Sequence, residues 1–343
     1  MKGILLLIAL SLAFLNCSSE EKPSNRKNTK TESETVSNVK VPLVKLKYKF
    51  STGDRFSYKL STTSNSKEEI IADTTISSEI TQNATYKIDF EVKDVDENST
   101  ASIQVKINSI SAETSLNGQS IKYDSKFIYS TREKVQFVDY EAVKKVPFLI
   151  KVSEVGQVVS VDKIEQIMKN ILEIQNVPDT LSKKSIDRMK MNIANGTLMP
   201  LTQQIFKVVS EEEVGKDSTW QLKYTTPLAV FNVENTAIFR ISALVFNEDS
   251  IATISSTLLF NVLGNNIVSE NGITYTFTQP ELEASGEVKY NITKGLVELS
   301  ESNTKINIAM IMDGVDNSNN EIKSTKRDLS NNTNVVELLK SSF

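Results

Sequence analysis

The 343-residue chain contains no histidine and a single cysteine, Cys17. Without histidine there is no Ser-His-Asp triad, no imidazole general base, no HExxH zinc site and no His-ligated haem. One cysteine forms no internal disulfide, and in an exported chain an uncapped thiol is an oxidation liability. Glycine is scarce, at 11 residues, and neither GxGxxG nor GxxxxGK[ST] occurs, so nothing supports nucleotide binding through a glycine-rich loop. No cofactor or metal is expected. Carboxylate chemistry, Ser/Lys chemistry or no chemistry at all remain. Lysine and arginine number 39 against 43 acidic residues, a balance with no electrostatic footprint for nucleic acid.

What is present begins with a leader. Lys2 precedes an apolar run over residues 4–15 that only Ser11 interrupts. That length suits the apolar region of a secretory signal, and it falls short of the roughly 20 residues that span a bilayer. The following FLNCSSEE lacks the small residues of an ordinary cleavage site. Cys17, directly after the apolar run and before Ser18, Ser19, Glu20 and Glu21, resembles the lipobox of bacterial lipoproteins. The resemblance implies cleavage after Asn16, lipidation of the Cys17 thiol and anchoring in the cell envelope, at the outer membrane. The sequence departs from the lipobox at Phe14, where the family prefers Leu, and at Asn16, where it prefers Gly, Ala or Ser. An ordinary secretory signal with an incidental cysteine is the alternative. Loss of Lys2 with the leader would take the net charge from −4 to −5.

Residues 17–40 are too polar to offset about 1–2 kcal/mol per residue of backbone ordering and are expected to form a disordered tether. At about 5–6 Å times the square root of its length, the tether reaches roughly 25–30 Å. The acidic residues after Cys17 resemble the surface-export signals of some Bacteroidetes lipoproteins. The periplasmic and surface-facing orientations both stay open.

From residue 41 onward, apolar and polar residues alternate at period two, the pattern of strands with one buried face. Residues 43–50 and 56–60 read as a first hairpin about Gly53. Further strands follow around Tyr86, Ile88, Phe90 and Val92, then Ile103, Val105 and Ile107. Asn117-Gly118 is a two-residue hairpin turn, because both positions accept positive φ. A short hairpin turns at residues 154–156.

The middle changes period. Ile164, Ile167, Met168, Ile171 and Leu172 fall on one helical stripe, with Ser160 or Asp162 as its cap. A second stripe, Ile186, Met189 and Ile193, is expected to stop at Asn195-Gly196, and a third helix to span residues 200–209. Strands then resume, with a hairpin about residues 291–295, and residues 305–312 and 334–339 are expected to close the sheet. The expected fold is α+β: a large, mostly antiparallel, curled sheet or sheets with a helical insert of two or three helices. Residues 1–16 form the signal peptide, 17–40 the tether and 41–343 the α+β domain. That domain divides into strands over 41–160, the insert over 161–210 and strands over 217–340.

Leader, tether, strands, helical middle and a closing hairpin with Gly286, Asn291 and Gly295 resemble uncharacterised Bacteroidetes-type envelope lipoprotein families. That resemblance implies no known activity. A more distant similarity in layout is to carriers of lipoproteins and lipids, in which a curled antiparallel sheet wraps an apolar cavity lidded by helices.

Three patterns carry candidate chemistry. Asp94, Asp96 and Asn98 begin like a Ca²⁺ loop, but Ser99 and Val105 stand where Gly and Glu are needed, so a polar turn fits better. S-x-x-K occurs at Ser64/Lys67, Ser160/Lys163 and Ser302/Lys305 without the accompanying motifs of Ser/Lys enzymes. The stripe Ile164, Ile167, Met168, Ile171 and Leu172 either lines a pocket for an acyl chain or packs the helix on the sheet. The expected function is that of a non-catalytic, membrane-anchored lipoprotein binding an apolar ligand, a glycan or a protein partner. The alternative is a carboxylate-dependent hydrolase of the envelope, needing two facing carboxylates roughly 5–10 Å apart.

Overall fold

The computed structural model describes residues 42–177, 181–270, 272–315 and 321–342. The leader, Cys17 and the tether lie outside the described residues. The rest is a mostly antiparallel β-sheet with few helices. Its strands are β1 (Val44–Lys45), β2 (Arg55–Ile71), β3 (Thr75–Val95), β4 (Ala101–Leu116), β5 (Gln119–Asp124), β6 (Pro147–Val152), β7 (Val158–Asp162) and β8 (Glu213–Val214). The second set is β9 (Thr219–Leu228), β10 (Phe231–Val245), β11 (Ile251–Leu263), β12 (Ile267–Glu270), β13 (Ile273–Phe277), β14 (Glu281–Asn291), β15 (Leu296–Val315) and β16 (Glu321–Ser342).

Fourteen strands share one open sheet in the order β7-β6-β4-β3-β2-β16-β15-β14-β11-β10-β9, with β5 on β4 and the β12–β13 hairpin on β15. Two edges are shared: β4 pairs β6 along residues 101–106 and β5 along 111–116. β15 likewise pairs β14 along its first half and β13 along residues 310–313. The inner face carries Phe56, Tyr58 and Leu60 of β2, facing Phe90, Ile88 and Tyr86 of β3. At about 3.3 Å per residue, the 21-residue β3 is about 70 Å long, and its buried side chains, Ile88, Phe90 and Val92, all lie in its second half.

Alternation assigns faces correctly, and the turns form where their chemistry requires. Asn117 and Gly118 take φ of 48° and 84°, as a type I′ turn demands. The β14–β15 hairpin closes through Asn291, whose Oδ1 accepts the Lys294 N–H at 2.8 Å.

Four expectations are corrected. Residues 43–50 do not pair with β2: Leu46 and Tyr48 are buried, but Val44 and Lys45 bond β8 instead. Period two fixes which side chains point inward, and a backbone partner distant in sequence fixes the pairing. Second, helices α1 (Thr131–Gln136) and α2 (Val138–Val143) stand inside the block expected to be all strand. A capping box starts α1, with the Ser130 side chain accepting from Glu133 N–H and the Glu133 carboxylate accepting from Ser130 N–H. Third, α3 (Glu165–Ile174) is flanked by Ile164 with no side-chain cap, and Ser160 Oγ donates instead to Asp162 at 2.8 Å. Fourth, α4 (Lys183–Ile193) does not stop at Asn195-Gly196. It continues through a π-helical turn (Ala194–Leu198) into α5 (Met199–Gln203), which ends six residues before the expected end of the third helix. Among the described residues, no helix is long and apolar enough to cross a membrane.

Candidate functional site

After α5, residues 204–210 form a strap across the inner face, and buried hydrogen bonds fix its course. Gln203 Oε1 accepts the Val158 N–H at 2.8 Å, while Gln203 Nε2 donates to the carbonyls of Gly156, at 2.9 Å, and Phe206. Tyr48 Oη donates to the Lys207 carbonyl at 3.1 Å and accepts the Lys207 N–H at 2.8 Å. Val209 N–H donates to the Val155 carbonyl at 3.0 Å. Gly156, at φ 88°, makes this approach feasible: a Cβ there would lie 2.4 Å from the Tyr48 ring and 2.5 Å from the Lys207 carbonyl.

Phe206 anchors the strap in an aromatic cluster. Its ring meets Phe90 edge-on at 5.4 Å and Tyr48 at 5.7 Å, and Phe56 stacks on Phe90 at 5.1 Å. Pairs of this kind contribute about 0.5–1.5 kcal/mol each beyond their buried area.

The next residue, Lys207, opens onto a cleft of about 100 Å³ between the strap and β9, β10, β11, β14 and β15. Leu222, Tyr224, Phe239, Ile254, Leu258 and Val288 supply apolar walls. The space exists because small residues occupy the inner-face positions between them: Ala237, Ser256, Ala284, Gly286, Ser300 and Ser302. Strand pairing confirms the shared face, with Ser256 opposite both Gly286 and Phe239, and Gly286 opposite Ser302.

Among the described residues, no carboxylate lies within ion-pair distance of the Lys207 ammonium. Burial against these walls pushes its pKa down to about 8, with no opposing charge to raise it. The cleft is thus apolar with one basic group at its wall, a combination that sequence reasoning missed. In QIFKVV, Lys207 reads as the solvent-facing residue of an apolar run. The available signal was the alternation of small residues in ASG and SES.

A second concavity, of about 510 Å³, lies on the outer face and is lined by Arg55, Ser57, Asp89, Glu91, Lys106 and Lys340, among others. Asp89 and Glu91 are two residues apart on one strand face, so their Cα atoms stand about 6–7 Å apart. Both carboxylates are already engaged. Asp89 accepts from Ser57 Oγ at 2.6 Å and from Asn108 Nδ2. Glu91 is held below the usual carboxylate range by Lys93, at 2.9 Å, and Arg55, at 3.2 Å. A general acid needs the opposite shift.

The three patterns from the sequence fall elsewhere. Asp96 Oδ1 accepts the N–H groups of Asn98 and Thr100, both at 2.9 Å, in the β3–β4 turn. Asp94 lies exposed on β3, and no cluster of three metal-ligating side chains occurs among the described residues. Ser64/Lys67 and Ser302/Lys305 are three apart on strands, which puts each serine and lysine on opposite faces. Ser160 is bonded to Asp162, and Lys163 follows the end of β7. In the helical stripe, Ile164 and Ile167 are buried in the core, Met168 and Ile171 pack against it, and Leu172 is half-buried. None of the five lines the cleft.

No curated protein matches the sequence. Among solved structures, one of lipovitellin, reported for its lipid-protein interactions, is similar over 86% of this chain and 26% of its own, at 10% identity and a TM-score of 0.43. OccK7 (OpdD) of Pseudomonas aeruginosa is similar over 85% of this chain and 100% of its own, at 7% identity and a TM-score of 0.26. The translocator domain of the autotransporter NalP from Neisseria meningitidis covers 84% and 89%, at 8% identity and 0.17. The chain spans about a quarter of the lipovitellin chain. Residues 98–297, more than half of the sequence, match the model of the family of unknown function DUF6263, and the chain belongs to that family.

Proposed function

We propose that this protein is a lipid-anchored lipoprotein of the cell envelope, at the outer membrane, and that its folded part binds an apolar ligand without catalysis. The observation that carries the reading is the cleft between the strap and the inner face. A solid core would place large side chains at Ala237, Ala284 and Gly286, and small ones there leave apolar walls without a partner. At about 100 Å³ the cleft is below the 300–1,000 Å³ of drug-sized sites, so it takes a short molecule or one end of a longer one. In this reading the sheet curls toward the strap, and Cys17 with its tether holds the domain near the membrane from which such ligands come.

The carboxylate-hydrolase alternative has its best case in the outer-face groove. The pinned state of Asp89 and the lowered pKa of Glu91 support a binding reading over a catalytic one.

Two experiments test the proposal. Metabolic labelling with an alkyne fatty acid should mark the wild type and not Cys17→Ser; equal labelling would remove the anchor from the reading. Solvent extraction of full-length protein purified in mild detergent should yield an apolar small molecule by mass spectrometry, depleted in the cleft-filling variant Ala284→Leu. Equal recovery from both proteins would sink the ligand assignment.

A further inference from the structure

Resting on that reading of the cleft, the geometry points to one class of ligand: an amphipathic monoanion, a carboxylate on an apolar chain, with its head at the Lys207 ammonium and its chain along Leu222, Phe239, Ile254 and Val288. The argument starts from the isolation of the ammonium. An unpaired amine beside apolar walls is costly to charge, and proteins ordinarily pair such a group or leave it in water. Lys207 instead stands on a strap whose backbone is locked on both sides by Tyr48 and whose preceding residue is clamped by the aromatic cluster. The backbone of Lys207 cannot leave the cleft mouth without breaking those contacts, so its side chain starts from the cleft wall.

The complementary group is set by charge count and by donors. One ammonium neutralises one negative charge, and a dianion would leave a second charge against apolar walls. Ser256, Ser300, Ser302 and Thr304 line the same space, and their hydroxyls can donate to a compact acid oxygen. Glu301 also borders the cleft, but it alternates with Ser300 and Ser302, and its carboxylate accepts from Asn303 Nδ2 at 3.1 Å on the exposed side. No acid on the cleft face competes for the ammonium among the described residues. A carboxylate with a short apolar chain satisfies both halves of the site, and a longer chain continues out along the sheet.

The test uses full-length protein in phosphatidylcholine nanodiscs and three diazirine probes of equal chain length: octanoic acid, octan-1-ol and octyl phosphate. Photolabel is mapped by peptide mass spectrometry to the strands that line the cleft. The acid should label these peptides in the wild type and lose about tenfold or more of that labelling in Lys207→Met, the effect of deleting one charge-assisted hydrogen bond. The alcohol should label both proteins alike, which also shows that Lys207→Met is folded. Acid labelling that is equal in wild type and Lys207→Met overturns the inference, as does stronger labelling by octyl phosphate than by the acid. If alcohol labelling is present and Ala284→Leu abolishes it, the cleft reading stands even when the inference fails. If no probe labels the cleft in the wild type, the cleft reading itself falls.

Discussion

Lys207 puts a four-carbon stem and one ammonium against walls that offer it no counter-charge, and the ligand-free protein bears the cost. Its pKa is about 8 in the folded chain against 10.5 for an unburied lysine. Between these values the unfolded chain holds a proton that the folded chain has released, so stability falls as pH drops through the window and is level below it. Glu301 borders the cleft with its carboxylate on Asn303 Nδ2, and beneath the strap lies Tyr48, whose ionisation burial pushes well above the ordinary range. Tyr48 therefore stays uncharged near pH 8. Replacing Lys207 by methionine keeps the stem and deletes the charge. The variant should be more stable than the wild type at pH 7 by about 1–3 kcal/mol, with the gap closing toward pH 10.5. Denaturant titrations at both pH values check this, and a gap independent of pH would show that Lys207 is charged without penalty.

At the scale of the element, the strap joins two adjacent glutamines that make opposite use of burial. Gln203 makes three hydrogen bonds, two that tie α5 to the β6–β7 hairpin and one to the Phe206 carbonyl of the strap, whereas both amide atoms of Gln204 are buried without a partner among the described residues. Removing Gln203 strands the Val158 N–H and two carbonyls, so Gln203→Leu should destabilise by about 2–4 kcal/mol. Gln204→Leu removes only unsatisfied atoms and should be neutral or stabilising by about 1 kcal/mol. Thermal melts of the two variants separate these outcomes, and similar losses for both would contradict the bonding assigned to the strap. The same segment marks what the sequence discloses. Alternation identified Leu46, Tyr48, Phe56 and Tyr58 as inward, because side-chain direction is local. It misassigned the partner of residues 43–50, because the hydrogen-bonding edge is supplied by β8, far along the chain. The helices α1 and α2 were legible only through the S-x-x-E capping box at Ser130 and Glu133, since each is too short to build a stripe. The cleft was legible only as a run of small inner-face residues on strands not yet known to be neighbours.

For the whole molecule, the decisive element is the last one. The β2–β7 half of the sheet and the β9–β15 half meet only through β16 within the sheet order, since β16 pairs with β15 along residues 299–315 and with β2 along residues 55–71. The register sets Arg55 opposite Ser342, so that contact closes almost the full length of the folded part. Contacts of such sequence separation form late, after the loop-closure entropy has been met, and a sheet built on them folds slowly. Ending the chain after Val315 would remove β16 and leave β2 and β15 as long edges with unpaired backbone groups. It would also remove Val336, a core residue, along with the strand that aligns the cleft half with the aromatic cluster anchoring the strap. The 1–315 truncation should therefore lose the protease resistance of the full chain and be recovered in aggregated form. A truncated chain as resistant as the full-length protein in limited proteolysis would mean that the strap and residues 42–50 suffice to hold the halves together. The dominant link would then be the packing of Tyr48, Phe206 and Tyr290 rather than the sheet.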